Sequence, residues 1–483
     1  MILQAPDYGT FAAASGFAML TGVFRGGGMW MLLGGIEPER FRSDAPPIFW
    51  AGMTVGALGA ALTAAAAFPV QARYDHAGVV GVMLLLALQL LITPLCQYAQ
   101  MALTSGPEQG RLPSILLASS ILRILAAVGI ALGGGGALAL ILPPMLGTVF
   151  ESAVCVRMVG FGRRDFTTTR TKWLEALWSM KPVLPLVALS SIGTQGDYFV
   201  GSLTLTVASL GLYGFAYQVA NQPYLLLTLV LQRVLVQVAA RVRADASKAG
   251  EHVANTAATA FFLVPAICTG IACLFPMIET IVWGGKWSQA VPLVAILSVG
   301  LSGPVAVGVL VTPWIAERRF KAVLATEVLR ACSVLAGGAI GVTWLAGMDV
   351  GLGRPLAAVE GLAIGVSLFT TVSALVVVSW FVRSSGASVS RLTQALFVGP
   401  LTCFLSGYGA WSVGVSLERS FEVFEGRWGA IGVLAVALGI YTLMLVAAMQ
   451  FVQPLRTANK LLAEPGLRWF EHLARRLGFE VGD

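Results

Sequence analysis

The chain has 483 residues, of which 57% are apolar, 11% are charged and 55 are glycines. This composition is typical of a polytopic membrane protein that lies mostly in lipid, and it excludes a predominantly soluble fold. The net charge of +7 does not indicate nucleic-acid binding, because the basic residues are spread through short loops instead of being clustered on a soluble patch.

Thirteen apolar runs of about 20 residues are long enough to cross a hydrocarbon core of roughly 30 Å. The predicted spans are Gly9–Gly34, Pro47–Phe68, Ala77–Ala102, Pro113–Leu132, Ala137–Val156, Pro182–Leu205, Ser209–Ala240, Val253–Phe275, Ala290–Trp314, Ala322–Ala346, Pro355–Val382, Leu392–Ser416 and Trp428–Val452. The connections between them are short. We therefore expect an all-α membrane protein without an extramembrane domain.

Lys and Arg are distributed unevenly between alternate loops, with 22 in one set and 5 in the other. The positive-inside rule then places the C-terminus in the cytoplasm and, with an odd number of spans, the N-terminus outside. An N-terminus outside is unexpected for a chain that shows no signal peptide.

The connection between the fifth and sixth spans has the pattern of an interfacial helix. Trp173, Leu174, Leu177 and Trp178 lie at i, i+1, i+4 and i+5 within a basic segment. We therefore predict a first lobe at 1–156, an amphipathic linker at 157–181, a second lobe at 182–382, two additional helices at 383–453 and a cytoplasmic amphipathic tail at 454–483.

A weak internal repeat links the two lobes. The segment Asp7-Tyr8-Gly9-Thr10-Phe11-Ala12 is echoed by Leu212-Tyr213-Gly214-Phe215-Ala216, and each segment opens an apolar helix. A full span precedes the second segment, whereas few residues precede the first. The repeat therefore predicts one further helix before Met1, lost through a start assigned too far downstream or through truncation.

The same segments, extended to Leu3-Gln4-Ala5-Pro6 and to Gly196-Asp197-Tyr198-Phe199-Val200-Gly201, resemble polysaccharide flippases of the multidrug/oligosaccharidyl-lipid/polysaccharide exporter superfamily. The resemblance implies two six-helix lobes related by pseudo-twofold symmetry, with two extra C-terminal helices and alternating access to a central cavity. This chain departs from that pattern, because it has thirteen spans where the family commonly has fourteen.

The resemblance also implies a function. Members of the family move undecaprenyl-pyrophosphate-linked oligosaccharides across the bacterial inner membrane for lipopolysaccharide O-antigen, capsule or exopolysaccharide synthesis. Polysaccharide polymerase and co-polymerase proteins are possible partners, together with the membrane lipids. No catalytic role is implied.

Three arginines lie near the predicted midplane of their spans: Arg25, Arg123 and Arg330, each nine or ten residues from a helix end. Their forked donors suit a pyrophosphate in a water-filled cavity. Structural ion pairing is the alternative, because Glu327 lies three residues before Arg330, and Glu151 or Glu360 can serve another arginine.

Asp197 is a carboxylate inside an apolar run, which makes it a candidate functional residue, since burying a charge at bilayer depth costs at least roughly 2.5 kcal/mol. It forms a helical row with Ser190 and Thr194. A second polar row, on the following helix, comprises Gln218, Asn221 and Gln222. Both rows predict either the wall of a polar cavity or hydrogen bonds between helices. Asp197 and Glu151 are also candidates for ion coupling.

Two other functions stay open. A cation-coupled multidrug exporter of the same superfamily needs acidic cavity residues, and a membrane-embedded glycan enzyme usually needs a large outer loop or a carboxylate cluster. The six cysteines lie in apolar runs without CxxC spacing, and the three histidines have no ligand partners at metal spacing, so neither a disulfide framework, a metal site nor a cofactor is predicted.

Overall fold

The computed structural model describes residues 5–22, 24, 28–74, 78–106, 109–222, 249–316, 319–348, 357–385, 401–409, 412 and 427–451. Within these ranges the regular elements are helical, and no strand occurs among them. The predicted all-α class is therefore confirmed.

The first part of the chain contains α1 (Ala5–Gly22), α2 (Met29–Leu33), α3 (Phe41–Tyr74), α4 (Gly78–Thr104), α5 (Leu112–Leu132), α6 (Leu138–Val159), α7 (Arg170–Met180), α8 (Leu184–Thr204) and α9 (Val207–Ala220). The later part contains α10 (Ala249–Trp283), α11 (Val291–Ala316), α12 (Phe320–Ile340), α13 (Ala358–Ser385) and α14 (Arg427–Phe451). Residues 401–409 are also helical.

Seven of the described helices are long and apolar enough to cross a bilayer, and the number becomes eight if α7 and α8, which are bent by 47°, count as one span. The protein is therefore a multi-pass membrane protein. The total of thirteen spans stays a prediction, because much of the predicted spans at 209–240 and 392–416 lies outside the described residues.

The first predicted span is not one helix. Helix α1 ends at Gly22 and α2 begins at Met29, whereas the apolar pattern predicted a single span from Gly9 to Gly34. Gly28 has a φ of 76°, in the left-handed region that glycine adopts without a steric penalty. The left-handed Gly28 at the start of α2 therefore interrupts a helix that hydropathy alone would continue.

The chain divides into two compact units. The amino-terminal unit comprises Ile2–Phe215 and Glu327–Gly365, and the carboxy-terminal unit comprises Ala216–Thr326 and Val366–Asp483. The amino-terminal unit thus holds α1 to α8 and most of α12. The predicted lobe boundaries at 156, 182 and 382 stay a prediction.

Within the amino-terminal unit, α1 packs backbone to backbone against α8 and α9. A Cβ atom added to Gly9 would lie 1.9 Å from the carbonyl oxygen of Val207, and one added to Gly16 would lie 2.6 Å from that of Tyr198. Small residues let membrane helices approach in this way. The two repeat segments also touch, since the rings of Tyr8 and Phe215 meet edge to face at 5.6 Å.

An aromatic cluster joins the segment before α7 to α4. The Tyr98 ring stacks on Phe161 at 5.0 Å, and the Tyr98 hydroxyl donates to the carbonyl of Asp165 at 2.7 Å. Helix α7 itself buries Ala176 and Met180 in the same core. The interfacial helix predicted around Trp173 is present as α7, and it packs as part of the amino-terminal unit.

In the carboxy-terminal unit, α14 packs on α10. The hydroxyl of Tyr441 donates a hydrogen bond to the carbonyl of Ala266, and a Cβ atom at Gly270 would lie 2.9 Å from the Tyr441 ring. Glycine at this position therefore leaves room for a tyrosine whose hydroxyl is satisfied inside the helix pair.

Candidate functional site

A cavity of about 420 Å³ lies within the amino-terminal unit, between α1, α4, α5, α6 and α8. Part of its wall consists of leucine, isoleucine, phenylalanine and proline side chains from α1, α4 and α6. Its polar lining residues are Ser15, Gln89, Arg123, Ser191, Thr194 and Gln195. A space of this size and mixed polarity is typical of a small-ligand site.

Arg123 is the charged residue of the cavity wall, and no other charged residue of the described chain lines this cavity. Its Nη2 lies 2.5 Å from Oε1 of Glu151 on α6. The arginine side chain is 37% exposed, whereas that of Glu151 is only 7% exposed. The guanidinium therefore faces the cavity, and its carboxylate partner lies behind it.

Glu151 is held by neutral donors as well. Ser119 Oγ donates to Oε1 at 2.5 Å, and Gln100 Nε2 donates to Oε2 at 2.9 Å. The thiol of Cys96 approaches Oε2 at 3.7 Å. Three helices, α4, α5 and α6, thus converge on one buried carboxylate. It receives hydrogen bonds from neutral donors in addition to the one from Arg123.

Gly147, one turn before Glu151 on α6, makes room for the arginine. A Cβ atom at this position would lie 2.0 Å from Nε of Arg123 and 2.8 Å from its Cγ. The guanidinium therefore lies across a helix surface that carries no side chain at the crossing point. In the described chain Nε of Arg123 is buried without a hydrogen-bond partner.

The structure places Arg330 in a different setting. Its Nε donates to the carbonyl of Gly193 at 3.2 Å and its Nη2 to that of Ser190 at 3.4 Å, both on α8. Nη1 lies 3.7 Å from Glu327, the partner that the sequence predicted. Arg330 therefore ties α12 to α8 and is not among the residues that line the cavity.

Asp197 is also away from the cavity lining. It is 2% exposed, accepts a hydrogen bond from the Tyr213 hydroxyl at 2.6 Å and accepts another from the backbone N–H of Tyr198 at 2.9 Å. The predicted row on α8 is therefore divided, because Thr194 lines the cavity whereas Asp197 binds α9.

The second predicted row lies in the carboxy-terminal unit. Gln222 Nε2 donates to the carbonyl of Gln218 at 3.1 Å, Asn221 is half-buried, and both glutamines are exposed. Their role in substrate binding stays a prediction. Arg25 lies outside the described residues.

Sequence reasoning missed Gln89, Gln195 and Ser15 as cavity residues. Gln89 and Gln100 sit eleven residues, or three helical turns, apart on the largely apolar α4, so they share one face. That spacing was an available signal. Within the described chain no group of three or more His, Cys, Asp and Glu residues has the arrangement of a metal site.

Comparisons with known proteins agree with this architecture. Residues 2–292 match a family described as polysaccharide biosynthesis protein. A search of curated protein sequences gives no match. Among solved structures, the chain is similar to the lipid II flippase MurJ in its inward closed conformation, with a TM-score of 0.67 and 13% identity over 92% of each chain.

It is also similar to an inward-facing multidrug resistance MATE family transporter of the MOP superfamily. That comparison has a TM-score of 0.58 and 14% identity, and it covers 81% of this chain and 94% of the transporter. At these identities the two likenesses establish a shared fold.

Proposed function

We propose that this chain, which belongs to the polysaccharide biosynthesis protein family, is a flippase for polyprenyl-pyrophosphate-linked oligosaccharides. It carries its substrate across the bacterial inner membrane by alternating access. The glycan serves surface polysaccharide or exopolysaccharide synthesis. On this proposal the protein is a transporter and not an enzyme, and the amphipathic tail and C-terminus lie in the cytoplasm.

The chemistry of the cavity wall supports this proposal most directly. A guanidinium is a planar, permanently charged donor that matches two phosphate oxygens at once. Around it stand the hydroxyls of Ser15, Ser191 and Thr194 and the amides of Gln89 and Gln195. Neutral donors and acceptors of this kind hydrogen-bond to sugar hydroxyls. The wall therefore suits an anionic head that carries a glycan.

The volume limits what part of the substrate binds here. About 420 Å³ lies within the range of roughly 300–1,000 Å³ that encloses a small molecule. A pyrophosphate with its first sugars matches this space, whereas a long polyprenyl chain does not. We therefore assign the cavity to the head of the lipid-linked substrate and leave the hydrocarbon tail in the bilayer.

A cation-coupled multidrug exporter is the second candidate, since the fold is shared with a MATE family transporter. Such an exporter needs an acidic group in its drug-binding cavity. In the described lining the charged group is a guanidinium, and Glu151 and Asp197 lie outside that lining. The charge of the wall therefore favours an anionic substrate over a cationic drug.

The test is glycan export in a strain that lacks the chromosomal gene and carries plasmid-borne variants. Arg123→Ala should reduce export per protein molecule at least tenfold, because each charge-assisted hydrogen bond contributes about 1.5–3 kcal/mol. Arg123→Lys should recover part of it, since Lys keeps the charge but loses the fork. Arg111→Ala, which removes an exposed arginine immediately before the start of α5, is the matched control and should retain export.

Wild-type export from Arg123→Ala, at equal protein abundance in the membrane, would contradict the proposal. Loss of dye efflux in the same variant, with glycan export unchanged, would favour the drug exporter.

A further inference from the structure

We propose that Glu151 is a positioning residue that competes with the substrate anion for Arg123, so that the arginine alternates between the buried carboxylate and the pyrophosphate. The inference rests on the proposed function, because it concerns how the same cavity binds and releases its anionic substrate. Its physical content is an exchange of one ion pair for another, without any covalent step.

The first observation is the position of the pair. Arg123 is 37% exposed at the cavity wall, while Glu151 lies behind it with 7% of its side chain exposed. An anion in the cavity therefore has access to the Arg123 side chain, whereas Glu151 is shielded from the cavity. Both anions bind the same cation, so each weakens the hold of the other.

The second observation is that Glu151 keeps good partners when Arg123 leaves. Breaking a buried ion pair is usually costly, because it strands a charge without hydrogen bonds. Here Ser119 donates at 2.5 Å and Gln100 at 2.9 Å to the two carboxylate oxygens. Because these neutral donors continue to bind the carboxylate, separating Arg123 from Glu151 costs less free energy than breaking an ion pair without them. The substrate anion can therefore compete for the arginine.

The third observation is the path open to the side chain. Arg123 passes over α6 at Gly147, which has no side chain, and a Cβ atom at this position would lie 2.0 Å from Nε of Arg123. In the described chain that Nε has no hydrogen-bond partner. Among the described residues, Glu151 is therefore the hydrogen-bond partner through which α6 holds the guanidinium, and exchange of that bond leaves the guanidinium at the cavity wall for the incoming anion.

The consequence concerns release as much as binding. A cation without a competing carboxylate would hold a pyrophosphate tightly and discharge it slowly, since tight binding of substrate does not by itself raise turnover. Glu151 recaptures Arg123 and so favours discharge of the anion. Replacing Glu151 by the isosteric glutamine should thus tighten pyrophosphate binding and slow glycan export, so affinity rises while transport falls.

The experiment uses the full chain in detergent micelles with sodium pyrophosphate as the probe, and it measures the dissociation constant by calorimetry. Glu151→Gln should bind pyrophosphate about tenfold more tightly than wild type, by the size of one charge-assisted interaction. Export of glycan per molecule in cells should fall in the same variant. A residue needed only for stability would lower abundance and would not tighten binding.

Glu175→Gln is the matched control, because it makes the same change at an exposed carboxylate on α7. It should leave the dissociation constant unchanged. Ser119→Ala is a second, smaller change that removes one donor from Glu151, makes the carboxylate depend more on Arg123, and should weaken pyrophosphate binding about threefold. It keeps the proposal testable if Glu151→Gln fails to accumulate.

The outcomes distinguish the competition between Glu151 and the substrate from the proposed flippase function. Unchanged or weaker binding by Glu151→Gln, with binding lost in Arg123→Ala, would overturn the competition and leave the proposed function intact. Unchanged or tighter binding by Ser119→Ala would do the same. Absence of pyrophosphate binding by wild type, together with normal export by Arg123→Ala, would overturn the proposed function itself.

Discussion

Removing single hydroxyls from Tyr213 and Tyr198 compares a charge-assisted hydrogen bond with a neutral one inside the same helix contact. The two rings meet edge to face at 5.8 Å. Tyr213 donates to the Asp197 carboxylate at 2.6 Å, whereas the Tyr198 hydroxyl donates to the carbonyl of Gly214 at 3.3 Å. The substitutions to Phe remove the same atom from neighbouring side chains.

The magnitudes follow from burial and from the acceptor. Asp197 is 2% exposed and Tyr213 is fully buried, so water cannot replace the lost donor. Tyr213→Phe should therefore destabilise the protein by about 3 kcal/mol, and Tyr198→Phe by about 1 kcal/mol. In an Asp197→Asn background the cost of Tyr213→Phe should shrink by more than about 1 kcal/mol, because the two groups interact directly.

Denaturant unfolding of the purified protein in bicelles measures these differences, with helical circular dichroism as the signal. The four proteins of the cycle, together with Tyr198→Phe, are compared at one lipid concentration. Equal losses in the two Tyr→Phe variants would refute the reasoning, since they would show that the carboxylate gains nothing special from its tyrosine. Strict additivity in the cycle would refute it as well.

Three further predictions concern other elements. Gly147→Ala should lower thermal stability and pyrophosphate affinity together, because its Cβ atom displaces the guanidinium of Arg123. Gly129→Ala on α5, where a Cβ atom meets nothing within 4 Å, is the control and should be neutral or stabilising. The melting temperature and calorimetric titration with pyrophosphate test both variants. Arg330→Ala should cost about 1–3 kcal/mol of unfolding free energy through its two lost carbonyl contacts, and unchanged unfolding would contradict this. In a cysteine-free background, Gly133→Cys should react with an impermeant thiol reagent from outside and Thr171→Cys should not; reversed labelling would overturn the predicted topology.

The sequence was informative about the class of the protein and about which residues carry charge within the membrane. Apolar runs predict the helices because a chain in lipid must satisfy its backbone internally. Rarity of intramembrane charge singles out Arg123, Arg330, Glu151 and Asp197. These two arguments need only composition along the chain, which is why they succeed without tertiary information.

The environment of each charge needed the structure. Arg123 and Arg330 have the same side chain and similar predicted depth, yet one lines a cavity and the other binds backbone carbonyls of α8. Depth along a helix does not fix the rotation of that helix about its axis. Glu151, one of the two carboxylates that the sequence offered as a partner for another arginine, lies 28 residues from Arg123 on the next helix, and the packing shows that Arg123 is the arginine it binds.

The break after Gly22 has a related cause. Hydropathy is averaged over a window, so a glycine does not interrupt an apolar run. The backbone conformation, in contrast, is set residue by residue, and a single glycine can end a helix. Gly28 adopts a left-handed conformation at the start of α2 that a continuous helix does not contain, and the apolar average across Gly9–Gly34 conceals it. Local backbone freedom is therefore invisible to the measure that finds membrane spans.

The close crossing of α1 and α8 also sets an order of events during synthesis. Gly16 precedes the carbonyl of Tyr198, on which it packs, by 182 residues. At about 5–20 residues per second, a ribosome needs roughly 9–36 s to make the intervening chain. During this interval the glycine face of α1 has no α8 to pack against. The backbone hydrogen bonds of α1 are intrahelical, so its uncovered face presents no unpaired backbone donor to lipid. Helix α1 can therefore form before its partners, and α8 and then α9 pack on it later.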